Sequence, residues 1–175
     1  MLEMREHKFT YFVTLTYNPE NLPDKDKYPV GGNLKKEDLQ RFMKKLRKLY
    51  GKVRYYGCGE YGEKTFRAHY HVILYCDSEI YLTEHRGQKG GYWRSTLLEQ
   101  AWSRDGDPIG NVTVYPILDS DGSRNVARYV ARYTVKKLTS ENSQEYLIES
   151  GKLPEHMRGR QPEFSAMSRF PAIGK

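Results

Sequence analysis

Arg67-Ala68-His69-Tyr70-His71-Val72-Ile73-Leu74-Tyr75 alternates from His69 onward. As a β-strand it sets His69, His71, Ile73 and Tyr75 on one face and Tyr70, Val72, Leu74 and Cys76 on the other. Two imidazoles then stand side by side, and neutral imidazole is the commonest ligand of divalent metals. A His-x-His pair by itself is also ordinary sheet decoration, so the neighbouring residues decide. Val53-Arg54-Tyr55-Tyr56-Gly57-Cys58-Gly59-Glu60, closed by Gly62, is rich in aromatic and β-branched residues and makes the partner strand of a hairpin, with residues 61–68 as its loop. A register that sets Glu60 opposite His69 also sets Cys58 opposite His71, and directly opposed residues share a face. Glu60 is the expected third ligand, with Glu63 in the loop as its substitute. Two histidines and one carboxylate leave coordination positions open, as a catalytic site requires and a closed structural site does not.

Phe9 to Tyr17 alternates ring or aliphatic residues with Thr and stops at Asn18-Pro19, which predicts another half-buried strand. Residues 21–33, with Pro23, Pro29, Gly31 and Gly32, form a loop. Leu34 to Leu49 carries Leu39, Phe42, Met43, Leu46 and Leu49 at helical spacing, with Asn33 as the expected cap. Asp77 to Tyr92 is polar and glycine-rich and is expected to be a long loop. Trp93 to Trp102 fits a short helix, and Asn111 to Tyr115, between Gly110 and Pro116, fits a strand. The order β-α-β-β-α-β predicts an α+β fold, ferredoxin-like or RRM-like: an antiparallel sheet with helices on one face and the other face open for metal and substrate.

A chain of 175 residues suits a single domain over residues 1–175. Its formal net charge of +7 points to an anionic partner. Fifteen Tyr and six Phe interleaved with Lys and Arg are what single-stranded nucleic acid binding uses, charge for phosphates and rings for bases. The two cysteines, Cys58 and Cys76, form no Cys-x-x-Cys pair and suit a reducing cytoplasm. No apolar run reaches membrane-spanning length.

Ser123 to Leu138 contains no Gly or Pro and follows the helix-start signal Asp119-Ser120-Asp121-Gly122. On a helix Tyr129 and Tyr133 are neighbours, and Lys136 lies about two turns from Tyr129 on nearly the same line. Arg124, Arg128, Arg132 and Lys136 make a second stripe suited to a phosphate backbone. A tyrosine pair at this spacing also occurs in core helices, but Val126 and Val130 already supply an apolar stripe. Tyrosine is a weak nucleophile at its ordinary pKa; a metal on the phosphoryl oxygens and a nearby lysine compensate.

His69-Tyr70-His71 resembles the His-hydrophobic-His signature of the HUH endonucleases, and Phe12-Val13-Thr14-Leu15-Thr16-Tyr17 resembles their first motif. Tyr129-Val130-Ala131-Arg132-Tyr133 resembles the paired-tyrosine motif of rolling-circle replication initiators. Gly59-Glu60-Tyr61-Gly62 and Pro162-Glu163-Phe164-Ser165-Ala166-Met167-Ser168-Arg169 are similar to the initiators of microviruses, single-stranded DNA phages, in particular the gokushovirus type. The likeness runs from Phe9 to Gly174. It implies an HUH endonuclease fold and an enzyme that nicks and rejoins single-stranded origin DNA by tyrosine attack, stays linked to the 5′ phosphate and leaves a 3′ hydroxyl. His69, His71 and Glu60 would hold Mg²⁺ or Mn²⁺, and Tyr129 and Tyr133 would be the nucleophiles. Tyr133 to Lys136 also spells the Tyr-x-x-Lys of the single-tyrosine branch, whereas Tyr129 to Arg132 has Arg in place of Lys.

The likeness further implies work in the host bacterial cytoplasm, with host replication proteins as further partners and a monomeric domain as a suitable state. Such initiators extend further on both sides, so the chain is expected to be an excised part of a longer one. Expected DNA contacts are Arg54, Arg67, Arg128, Arg132 and Lys137, with the segment from Tyr81 to Trp93. Two competing readings are an HUH transposase and a non-catalytic single-strand-binding module, in which the histidines decorate the sheet and the tyrosines stack on bases.

Overall fold

The computed structural model describes residues 6–87, 90–117 and 141–169. In chain order the elements are β1 (Phe9–Thr16), α1 (Lys36–Tyr50), β2 (Val53–Tyr61), β3 (Ala68–Cys76), β4 (Thr83–Gly87), β5 (Gly90–Arg94), α2 (Thr96–Ala101), the two-residue strands β6 (Ser103–Arg104) and β7 (Asp107–Pro108), β8 (Val112–Pro116), α3 (Glu141–Glu149) and β9 (Phe164–Met167). Seven strands make one antiparallel sheet in the order β4-β5-β8-β1-β3-β2-β9. Its four central strands, β8-β1-β3-β2, with α1 and α2 in the crossovers, are the β-α-β-β-α-β unit expected from the sequence.

Alternation decides which face each strand gives to the core. Tyr11, Val13 and Leu15 of β1 join Tyr70, Val72, Leu74 and Cys76 of β3, and over them close Leu39, Phe42 and Leu46 of α1 with Leu98, Ala101 and Trp102 at α2. Burying each large apolar side chain here is worth about 1.5–3 kcal/mol, so this face carries most of the stabilisation. The opposite face holds a smaller cluster of Phe12, Tyr56, Ile73, Tyr75 and Ile117, and toward the β2–β3 turn it becomes polar with the two histidines. α1 has Glu37 and Asp38 in its first turn, Arg47 and Lys48 in its last, and ends at Gly51 with φ 102°, matching charge to the helix dipole and glycine to the positive φ.

Asn33 does not cap α1. The capping position is Lys35, whose side chain makes no cap bond. The Lys35 N–H is taken instead by the Tyr70 hydroxyl (3.0 Å) and the Leu34 N–H by that of Tyr61 (3.2 Å). Asn33 is engaged elsewhere: its amide donates to Asp24 (2.8 Å) and its carbonyl oxygen accepts from the Tyr61 hydroxyl (3.0 Å) and the Gln161 N–H (2.8 Å). The expected loop from Asp77 to Tyr92 is in part a hairpin, β4–β5, joined to the sheet through Trp93 opposite Val114. Trp93 therefore belongs to β5 and α2 starts only at Thr96, although Leu98, Ala101 and Trp102 pack as the helical reading required. β9 is an added edge strand on β2. It approaches closely because Gly59 has no side chain: a Cβ there would lie 2.7 Å from the Phe164 ring. The expected helix from Ser123 to Leu138 lies outside the described residues. No helix among the described residues is long and apolar enough to cross a membrane.

A polar network crosses the helical face of the sheet. The Tyr17 hydroxyl donates to Asp38 (2.7 Å) and lies 2.7 Å from the Tyr70 hydroxyl. Tyr70→Phe removes the acceptor of the buried Lys35 N–H, so it is expected to cost about 1–3 kcal/mol. A urea titration of the two proteins checks this; an unchanged midpoint would mean the network adds nothing.

Candidate metal centre

The β2–β3 hairpin builds the site from local sequence. Its register pairs Glu60 with His69 and Cys58 with His71, and Tyr61 with Ala68 closes it. The turn is tightened by Gly62 N–H to the Arg67 carbonyl (3.1 Å) and Phe66 N–H to the Gly62 carbonyl (2.8 Å). On the face away from the helices, Glu60 Oε1 lies 3.0 Å from His69 Nε2 and 2.8 Å from His71 Nε2. The two imidazoles meet edge to face, 4.9 Å between centroids and 85° between planes. Glu60 is 2% exposed, so its carboxylate sits in a site where charge must be compensated.

The ring nitrogens away from the carboxylate are engaged as well. His69 Nδ1 lies 3.0 Å from the Arg67 carbonyl. A carbonyl can only accept, so Nδ1 carries the proton and Nε2 keeps its lone pair. His71 Nδ1 lies 2.9 Å from the Thr14 hydroxyl, across the β1–β3 pairing, and the Phe12 ring stacks on His71 at 5.1 Å. With Nδ1 of His71 donating to Thr14, both Nε2 lone pairs and the carboxylate oxygen converge on one point. Separations of 2.8 and 3.0 Å are those of ligands that share an ion about 2.1 Å from each. Among the described residues, Glu60, His69 and His71 are a set whose ligand atoms lie within 4.8 Å of one another. Their N₂O chemistry fits a divalent cation with open positions.

The other expected site residues fall in different places. Glu63 is exposed in the loop, and Glu60 occupies the position between the histidines. Arg54 shares the metal face of β2 but stands six residues from Glu60, about 20 Å along the strand. The Arg67 guanidinium donates to the Tyr17 carbonyl (3.0 Å), while its own carbonyl orients His69. Tyr129, Tyr133, Lys136, Arg128, Arg132 and Lys137 lie outside the described residues. Sequence reasoning missed Thr14, although Thr14 and Thr16 alternate on the face that β1 turns toward the histidines. It also missed Glu163, whose Oε1 accepts from the Tyr61 N–H (2.8 Å) beside Glu60. The nearby phenols of Tyr17, Tyr61 and Tyr70 are all pushed up by burial, so they stay neutral.

The sequence model of the replication-associated protein ORF2 family matches residues 10–138. The chain is 32% identical over 149 residues to the replication-associated protein ORF2 of Spiroplasma virus 4, covering 78% of this chain and 42% of that protein. It is 30% identical over 148 residues to the replication-associated protein VP4 of Bdellovibrio phage phiMH2K, covering 77% and 41%. The replication-associated protein ORF4 of Chlamydia phage 1 is 31% identical over 147 residues, covering 78% and 33%. The chain thus spans between 33% and 42% of the length of the curated relatives it matches. No solved structure matches it.

Proposed function

The chain belongs to the replication-associated protein ORF2 family, and on that premise we propose that it is the strand-nicking and rejoining domain of a phage rolling-circle replication initiator, an HUH endonuclease. The observation that carries this reading is the convergence of the His69 and His71 Nε2 atoms on the buried Glu60 carboxylate. Glu60, His69 and His71 would hold the divalent ion, which when bound polarises the scissile phosphate. Imidazole ligands favour Mn²⁺ over Mg²⁺, which keeps its oxygen ligands and waters.

The phenol oxygen of Tyr129 or Tyr133 attacks phosphorus. A Tyr–O–P bond forms, the P–O3′ bond breaks, the phenol gives up its proton and the leaving oxygen gains one to become the 3′ hydroxyl. Lys136 steadies charge developing at the phenol or the phosphate. Tyr17, Tyr61 and Tyr70 are unsuited to attack, because burial holds their protons on and their hydroxyls are engaged on the helical side. Two tyrosines allow a second transfer while the first strand is still linked. The phosphotyrosine conserves the phosphodiester bond, so rejoining needs no external energy source.

The substrate is single-stranded origin DNA in the host bacterial cytoplasm, gripped through a chain of net charge +7. Arg54 faces the metal side and is the stronger of the described phosphate contacts; Arg128, Arg132 and Lys137 supply the rest. Residues 1–175 act as one domain, with host replication proteins as partners of the longer initiator.

The chemistry of the ends tests this. The cleaved strand is expected to prime a DNA polymerase without phosphatase treatment, while its 5′ end resists exonuclease until the protein is digested. A free 5′ phosphate with a water-derived oxygen would point to a hydrolytic nuclease instead.

A further inference from the structure

We infer that Arg160, which no step above uses, is a positioning residue for the metal site: it holds the turn whose carbonyl sets the proton of His69. The inference rests on the reading of Glu60, His69 and His71 as metal ligands. Arg160 is a charged side chain only 3% exposed. Its Nε donates to the His156 carbonyl (3.0 Å), Nη2 to that of Val30 (2.6 Å), and Nη1 to that of Gly32 (2.8 Å) and, at 3.4 Å, Phe66. The Tyr28 and Tyr61 rings flank the guanidinium at 5.2 and 5.6 Å. A buried guanidinium persists where its donors are used, and these donors join two segments: residues 30–32 and the turn of the metal hairpin.

Those segments are pressed together. The Gly31 carbonyl accepts from the Ala68 N–H (2.9 Å), and a Cβ on Gly31 would lie 2.0 Å from the Phe66 carbonyl oxygen. Phe66 itself has φ 50°, in the left-handed region that a bulky residue adopts only when its surroundings impose it. Arg160 and the His156 ring, edge-on to Phe66 at 4.9 Å, are those surroundings. The next carbonyl is that of Arg67, which receives both Gly62 N–H (3.1 Å) and His69 Nδ1 (3.0 Å). Released from Arg160, Phe66 relaxes, the Arg67 carbonyl turns, and His69 populates the tautomer whose Nε2 carries the proton. That tautomer cannot ligate through Nε2.

Calorimetric titration of the intact chain with Mn²⁺ tests this. Arg160→Met and Arg160→Lys are expected to weaken binding about tenfold, the scale of outer-shell changes at metal sites. In the metal-free protein, ¹⁵N NMR is expected to show one His69 tautomer in the wild type and a mixture in the variants. His156→Ala, an exposed position, is expected to show a smaller loss in the same direction, and it carries the test should Arg160→Met not fold. Leu98→Ala destabilises the core under α2 and is expected to keep wild-type affinity. Wild-type binding in Arg160→Lys and His156→Ala, or an equal loss in Leu98→Ala, overturns the inference. A wild type that binds no Mn²⁺ overturns the metal reading itself.

Discussion

Tyr129→Phe combined with Tyr133→Phe is expected to abolish strand cleavage while single-stranded DNA binding stays close to wild type. The substitution removes two hydroxyl groups and keeps both rings. Base stacking needs the ring, so a module that only stacks would lose little. Covalent transfer needs the oxygen, and removing a covalent nucleophile costs about ten-thousandfold or more in rate. A gel assay of cleavage, run beside a binding titration by fluorescence anisotropy, separates the two. Cleavage that survives in the double variant would exclude these tyrosines as nucleophiles. Either single variant is expected to cleave and then fail to rejoin, or to fail at cleavage, and that difference tells which tyrosine attacks first.

The second large effect is expected at Glu60. Glu60→Gln keeps the volume of the side chain and its place opposite His69, but it removes the one negative charge among the three converging ligands. Outer-shell changes at metal sites already cost 10–100-fold, so loss of a ligand charge is expected to weaken Mn²⁺ binding by at least about 100-fold. Ligand linkage makes this visible as stability. At a Mn²⁺ concentration 100 times the wild-type Kd, binding adds about 2.7 kcal/mol to the folded state. For a chain of this size that raises Tm by roughly 5–10 °C. Wild type is expected to show the shift and Glu60→Gln to show none. Equal shifts in both proteins would remove Glu60 from the ligand set.

The part of the site legible in the sequence is the part built locally. β2 and β3 are separated by a short turn, and a period of two fixes their faces, so the pairing of Glu60 with His69 follows from the hairpin alone. Thr14 reaches His71 from 57 residues away, and no local pattern says which strand lies beside β3. The β4–β5 hairpin is hidden for another reason. Its strands are polar and glycine-bounded, and they are joined to the sheet by the edge of β8 rather than by an apolar face of their own. Asn33 shows a local rule losing to tertiary partners: its side chain serves Asp24, Tyr61 and Gln161, while tyrosine hydroxyls finish the helix end. The two stretches that resemble microvirus initiators outside the histidine and tyrosine motifs, residues 59–62 and 162–169, turn out to be neighbours. β9 pairs with β2, and Glu163 holds the Tyr61 N–H next to Glu60.

The most direct test of the account is to incubate the chain with labelled single-stranded DNA carrying the phage origin and Mn²⁺, then run a denaturing gel, with EDTA and His69→Ala as controls. The account predicts a protein–DNA band that survives denaturation, requires the metal, and is lost in both controls. DNA that binds yet forms no such band on any origin substrate would contradict it and leave a single-strand-binding module in its place.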